Sequence, residues 1–203
     1  LSLLRICPSL SSSFFNDRSF IHSLYSSLGN SSSGVALTEL LCECLSNGYG
    51  TWDEHIDCLS SLCCSSSLFQ NGIYDRLLPA IGRNTQIGSN FLIRLLKAIQ
   101  ASPSPQMKTI LAVSRFAILS RSQDGNILHW YSLISLQSMT HAIFHVSSHT
   151  RFSAWSLLIE HPKKTEPFTM DECNLMASYI ETNMGEQKPA IRQKILAGIK
   201  KVR

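Results

Sequence analysis

The sequence predicts an all-α protein, an α-solenoid of HEAT/armadillo-like helical repeats, and three observations carry that prediction. Two stretches near the C-terminus share a pattern: His149-Thr-Arg151-Phe-Ser-Ala154-Trp-Ser-Leu157-Leu158 and Pro189-Ala-Ile-Arg192-Gln-Lys-Ile195-Leu196-Ala-Gly-Ile199. With Arg151 set on Arg192, Ala154 falls on Ile195 and Leu158 on Ile199, an offset of 192 − 151 = 41 residues. That spacing lies in the roughly 40–47-residue range of HEAT and armadillo units, whose single apolar face is buried against neighbours. Second, apolar residues recur at helical rather than alternating spacing along the chain. Third, short polar turns with glycine, proline or capping residues separate about ten helical segments. The clearest repeat region is 149–203, and the whole of 1–203 reads as a single stretch of repeats.

In order, Arg18 to Leu28 carries Phe20, Ile21, Leu24 and Leu28 at helical spacing and stops at Gly29. Asn30 to Gly34 is a loop, and Val35 to Leu45 is a helix ended by Asn47-Gly48. Thr51-Trp-Asp-Glu54 has the form of a capping box, in which hydroxyl and carboxylate each take an orphan backbone amide. It opens a helix through Ile56, Leu59, Leu62 and Cys63. Gly72 to Gly82 is a short helical piece. Ile87 to Ile99 is a strong amphipathic helix, with Phe91, Leu92, Leu95, Leu96 and Ile99 on one side and Arg94 and Lys97 on the other. Ser102-Pro103-Ser104-Pro105 breaks it, and Gln106 to Leu119 resumes. After a turn at Gln123 to Asn126, Ile127 to Val146 is one helix, or two with a break. Following the polar loop His161 to Pro167, Thr169-Met-Asp-Glu172 forms a second capping box, with Phe168 and Cys173 placed for a hydrophobic staple. Its helix runs through Leu175, Met176, Tyr179 and Ile180 to Gly185. The last helix starts at Pro189, and its core face is Ile191, Ile195, Ile199 and Val202.

Apolar residues make up 44% of the chain, enough for a core, while charged residues make up only 16%. The chain opens on Leu1 without methionine and closes on Lys200-Lys201-Val202-Arg203 directly after a strong helix. It is therefore expected to be a fragment of a much larger solenoid. Net charge is +4, and from His149 onward nine Lys/Arg face six Asp/Glu, which places +3 of it in the last quarter. Seven cysteines, an odd and irregular set, point to a reducing compartment and buried thiols. No apolar run reaches the ~18–20 residues needed to cross a bilayer, so no membrane insertion is expected. The serine-rich Leu1 to Phe15, with one arginine, is conceivable as a transit peptide but is not assigned as one.

Catalytic chemistry is not evident. Cys42, Cys44, Cys58, Cys63, Cys64 and His55 match no zinc spacing, and Cys44 and Cys63 are accounted for by core faces. His141, His145 and His149 stand at i, i+4, i+8, and two of them on one helix face read as a polar surface. There is no nucleophile elbow, dinucleotide fingerprint or phosphate loop. No catalytic residue, metal or cofactor is assigned, and the chain is expected not to be an enzyme. Lys188, Arg192, Lys200 and Lys201 are the candidate nucleic-acid-binding residues, a phosphate-facing rim on the last helix. Arg151 and Arg192 have a competing role, bracing a neighbouring unit through an acidic partner or a helix C-terminus.

The segment His149-Thr-Arg-Phe-Ser-Ala-Trp-Ser-Leu-Leu-Ile-Glu160, the polar loop, Phe168-Thr-Met-Asp-Glu172 and Pro189-Ala-Ile-Arg-Gln193 resemble the THADA family, thyroid adenoma-associated protein and its fungal and plant relatives. The likeness spans 149–203, with departures at Phe152 and Trp155, where smaller aliphatic or acidic residues are expected. The resemblance implies a very large helical solenoid acting as a non-catalytic regulatory subunit. Its partners would be a tRNA 2′-O-methyltransferase, working in the anticodon loop, and tRNA itself. S-adenosylmethionine would belong to the partner enzyme, and the location would be cytoplasmic. The rival expectation is a HEAT/armadillo protein–protein adaptor without an RNA role, and the third is an enzyme with a helical domain.

Overall fold

The computed structural model describes residues 17–29, 34–65, 72–120, 128–159, 167–183, 185 and 189–201. The stretch Leu1 to Phe15 with Cys7, most of the loops at 30–34 and 161–167, the turn at 123–126, Lys188 and Val202 lie outside them. The described residues form ten α-helices and no strand: α1 (Arg18–Ser26), α2 (Gly34–Asn47), α3 (Trp52–Ser65), α4 (Leu78–Arg83), α5 (Gly88–Gln100), α6 (Met107–Leu119), α7 (Leu136–Ile143), α8 (Ser148–Ile159), α9 (Met170–Asn183) and α10 (Pro189–Lys201). They fall into two compact units, Leu1–Asn126 and Ile127–Arg203.

Local chemistry sets most boundaries. In both capping boxes the exchange of bonds is complete. Thr51 N–H donates to the Glu54 carboxylate at 3.0 Å and Glu54 N–H to the Thr51 hydroxyl at 3.3 Å. Thr169 N–H donates to Glu172 at 2.8 Å and Glu172 N–H to the Thr169 hydroxyl at 3.2 Å. Each box is worth on the order of 1 kcal/mol. The staple drawn beside the second box is not a buried one, because Cys173 is exposed. Helix α2 ends at Gly48, whose φ of 71° is the left-handed conformation glycine adopts without strain. Tyr49 N–H then reaches the Cys44 carbonyl at 2.9 Å and closes a Schellman motif. Before α4, Ile73–Leu77 is wound as a π-helix. Pro79, one residue into α4, has no N–H for the Asp75 carbonyl and crowds it, so the widened turn absorbs the mismatch.

The expected helix over Ile127 to Val146 is shorter in the structure. Leu128 and His129 are extended, Trp130–Ser132 is a single 3₁₀ turn, and α7 begins only after Ser135, whose hydroxyl accepts from Ser138 N–H at 3.2 Å. The cause is tertiary. The Trp130 indole is buried and donates to Glu172, itself only 2% exposed, at 3.0 Å. Holding that bond and the start of α7 together requires a break. His141 therefore lies on α7, His145 in the linker and His149 on α8, so the three do not share one helix.

In the N-terminal unit, helices two apart in the chain pack together: α1 on α3, α3 on α5, α2 on α4 and α4 on α6, with α5 against α6 joining the rows. Such i-to-i+2 stacking is what repeated helix pairs produce. Helix α5 buries Phe91, Leu92, Leu95, Leu96 and Ile99, the face its spacing predicted. Phe91 meets Trp52 edge-on at 5.6 Å, and Arg94 lies over Trp52 while pairing with Asp53 at 2.7 Å. Two open carbonyls at the end of α3 are closed from the start of α6, Cys64 O by the Gln106 amide and Cys63 O by the Thr109 hydroxyl. Tyr25 and His55, both fully buried, tie α1 to α3. Tyr25 O–H sits 2.8 Å from His55 Nδ1, and His55 Nε2 lies 3.0 Å from the Tyr49 carbonyl. The carbonyl can only accept, so Nε2 carries the proton and Nδ1 accepts from tyrosine.

The C-terminal unit is built round α8, where Thr150 and five consecutive residues, Ala154 to Leu158, are buried. Helices α7, α9 and α10 all pack on it, and α7 also packs on α9. Trp155 stacks on Tyr179 of α9 at 4.7 Å and 13°. On the other side α10 approaches through Gly198. A Cβ there would lie 2.5 Å from Ile159 Cδ1 and 2.7 Å from Trp155 Nε1. The last helix buries Ile195 as predicted, half-buries Ile191 and Ile199, and leaves Leu196 60% exposed.

Two predictions follow from these contacts. Gly198→Ala should lower unfolding free energy by about 1–3 kcal/mol through overpacking, more than offsetting the ~0.5–1 kcal/mol of helix propensity gained. The surface change Leu196→Ala should stay within about 0.5 kcal/mol; equal urea midpoints for the two variants would refute the close approach. Burial holds His55 below its ordinary pKa of 6.5, with the Tyr49 carbonyl and Glu54 opposing. The unfolded chain takes up a proton near 6.5 that the folded chain refuses. Stability is thus full above that pH and declines as pH falls below it. Urea unfolding at about pH 7.5 and about pH 5.5 should show this loss, and His55→Gln should flatten it.

Candidate nucleic-acid interface

Of the four residues expected to form a basic rim, Lys188 lies outside the described residues, and the other three are on α10. Arg192 and Lys200 are exposed; the Lys201 backbone is helical and its side chain is not described. Arg192, Leu196 and Lys200 follow one another at i, i+4, i+8, so they form one outward stripe, about 12 Å from first to last along the axis. The stripe holds two cations with an exposed leucine between them.

Arg151, 41 residues earlier in the same register, shows what an arginine at this place does when covered. Its Nε donates to Asn183 Oδ1 at 2.8 Å, at the end of α9. Its Nη1 donates to the carbonyls of His145 at 2.9 Å and Val146 at 3.0 Å, just past the end of α7. One guanidinium thus fastens α8 to the ends of both neighbouring helices. These partners are an amide and two backbone carbonyls, and bonds of this charged kind are worth about 1.5–3 kcal/mol each. Asn183 is itself held by its amide to the Tyr179 carbonyl at 2.9 Å.

Side chains with reactive potential in the interior are committed to packing. Burial pushes the thiols up, to about 11 for Cys42 and Cys58 and about 12 for Cys44 and Cys63. At neutral pH they are protonated and poor nucleophiles or metal ligands. Among the described residues no three His, Cys, Asp or Glu come together as a metal site. His55, considered with the cysteines from sequence, has both ring nitrogens occupied by Tyr25 and Tyr49.

Sequence reasoning missed two features. Trp130 carried no periodic signal, although its partner Glu172 stands 42 residues away, one repeat offset. The second is a charge division. Residues 17–65 hold one basic side chain, Arg18, against six acidic ones, whereas residues 72–120 hold six basic ones and a single acid, Asp75. Counting charge by composition windows over helices α1–α3 and α4–α6 would have found it. Among the described residues no helix is long and apolar enough to cross a membrane.

Comparison with known proteins adds a family. The family described as "Trm732, TPR repeats" matches residues 49–202. The chain is similar to a Gallus gallus protein named tRNA (32-2′-O)-methyltransferase regulator THADA, 24% identical over 136 residues. That alignment covers 64% of this chain and 7% of the relative, so the chain spans a small part of the relative's length. No solved structure matches. With the match running over α3 to α10, the chain belongs to the Trm732 TPR-repeat family.

Proposed function

We propose that this chain is part of a non-catalytic regulatory scaffold that supports 2′-O-ribose methylation of the tRNA anticodon loop by a partner methyltransferase. The observation that carries this reading is the family match over 49–202, joined by the relative whose name gives it as a regulator of a tRNA 2′-O-methyltransferase. The physical division of labour is consistent with it. In repeat proteins, stacked helix pairs provide a surface that can hold an RNA by shape and phosphates while another protein performs the chemistry. In this reading 1–203 is one stretch of repeats. The 41-residue register favours units of HEAT/armadillo length, although the family is described by TPR repeats. The setting is cytoplasmic, the partners are the methyltransferase and tRNA, and the methyl donor stays with the enzyme.

Within this scaffold Lys188, Arg192, Lys200 and Lys201 are the proposed phosphate contacts. A second reading, a protein–protein adaptor without an RNA role, is favoured by one observation: Arg151, the register mate of Arg192, is spent on bracing helices. Affinity purification of the full-length protein separates the two. The scaffold reading expects both a methyltransferase and tRNA to co-purify. Changing the four basic residues to Glu should release tRNA, by about tenfold or more at physiological salt, and retain the enzyme. Absence of both from the wild-type preparation sinks the scaffold reading in favour of the adaptor. Loss of the enzyme together with tRNA moves the four residues from phosphate contact to helix packing.

A further inference from the structure

Between α4 and α6 lies an open cleft of about 360 Å³, lined by Pro79, Gly82, Phe116 and Leu119, with Arg83 at its rim. The two elements run side by side in the same direction. Tyr74, in the π turn before α4, bonds Thr109 at the start of α6, and Gly82 faces the Phe116 carbonyl near its end. Leu119 is 45% exposed and, with Pro79 and Phe116, makes the cleft lining apolar. One cation, Arg83, stands at this apolar floor, and neither α4 nor α6 contains an acidic residue.

We propose that this cleft docks an acidic polypeptide segment, one large apolar side chain entering between Pro79, Phe116 and Leu119 with a flanking carboxylate drawn to Arg83. The size suits one or two side chains rather than a folded surface. Arg83 in the lining, on helices that carry no acid, selects the sign of the occupant. A nucleic acid fits less well. A phosphate would use Arg83 but leave the aliphatic floor uncovered, and stacking bases need open aromatic faces. Here Tyr74 is capped by Lys108 and hydrogen-bonded to Thr109, and Phe116 is half-buried. The docking is independent of the tRNA role proposed above and concerns a different unit from the α10 rim.

Fluorescence polarisation on the 203-residue chain tests it, with labelled short peptides carrying Leu or Phe between Asp and Glu. Peptides with Lys replacing the acids, and a short single-stranded RNA, serve as the alternatives. The acidic peptides should bind and weaken with added salt. Arg83→Glu should weaken them by at least about tenfold, and Leu119→Asp by a similar factor, since it removes the floor and repels carboxylate. Both positions are on the surface, and unchanged helical circular dichroism and melting would confirm that the variants fold. The inference is overturned if acidic and basic peptides bind alike, or if neither variant changes acidic-peptide affinity. It is equally overturned if no peptide binds, or if RNA is the probe that binds and Arg83→Glu and Leu119→Asp weaken it.

Discussion

The C-terminal unit depends on α8 being enclosed, and that enclosure turns on Trp155. A twelve-residue helix with five consecutive buried positions has little solvent face to orient it, His149 being its one exposed residue. Its position must come from the neighbours that cover it. The Trp155 ring supplies the common surface: Tyr179 of α9 lies flat against one face, and the Gly198 backbone of α10 comes close enough that a methyl group would collide with the indole. Arg151 then fixes α8 along its axis by gripping the Asn183 side chain and the carbonyls past α7. Packing sets distance and hydrogen bonding sets register. Neither works without helices supplied from elsewhere in the chain, which is the physical meaning of a repeat that cannot bury its own apolar face.

How much of this was legible from sequence depended on how local the cause was. Thr51/Glu54 and Thr169/Glu172 could be read as capping boxes because donor and acceptor are three residues apart, and both boxes form. Gly48 could be read as a helix stop for the same reason. The apolar spacing of α5 gave its buried face correctly. Over 127–146, one helix or two with a break were both open from sequence, and the choice could not be made there because the Trp130–Glu172 bond links residues 42 apart. Likewise the π turn at Ile73–Leu77 reflects Pro79 forced into a helix that neighbouring α2 and α6 hold in place. At the candidate rim, sequence gave the charges and the helix. It could not tell bracing from ligand contact, because that depends on what covers a side chain. Arg151 is covered and Arg192 is exposed in an equivalent register.

The interior of the N-terminal unit reinforces a division between inside and surface. Its thiols are held protonated by burial, and its one buried histidine is kept neutral with both nitrogens bonded. Groups arranged this way stabilise a fold by remaining uncharged; they are poorly suited to transferring protons or attacking a substrate. The Tyr25–His55 bond is a case in point, since charging the ring puts a proton on Nδ1 and takes away the acceptor of the tyrosine O–H.

Recognition by such a chain has to be sought on its surface, where two places differ in kind. The α10 stripe is charge on a helix whose equivalent position in α8 serves packing, so its electrostatic attraction for phosphate competes with a structural use of the same arginine. The α4–α6 cleft combines a cation, Arg83, with apolar surface that water solvates poorly, and no register mate suggests another use for it. Charge alone attracts partners of one sign with little discrimination and fades with salt. An apolar floor beside that charge rewards only a ligand that brings both complementary features, so specificity is better founded there than on the stripe. The acids gathered on α1–α3 sharpen the choice further, because a ligand drawn to α4–α6 is repelled from the other half of the same unit.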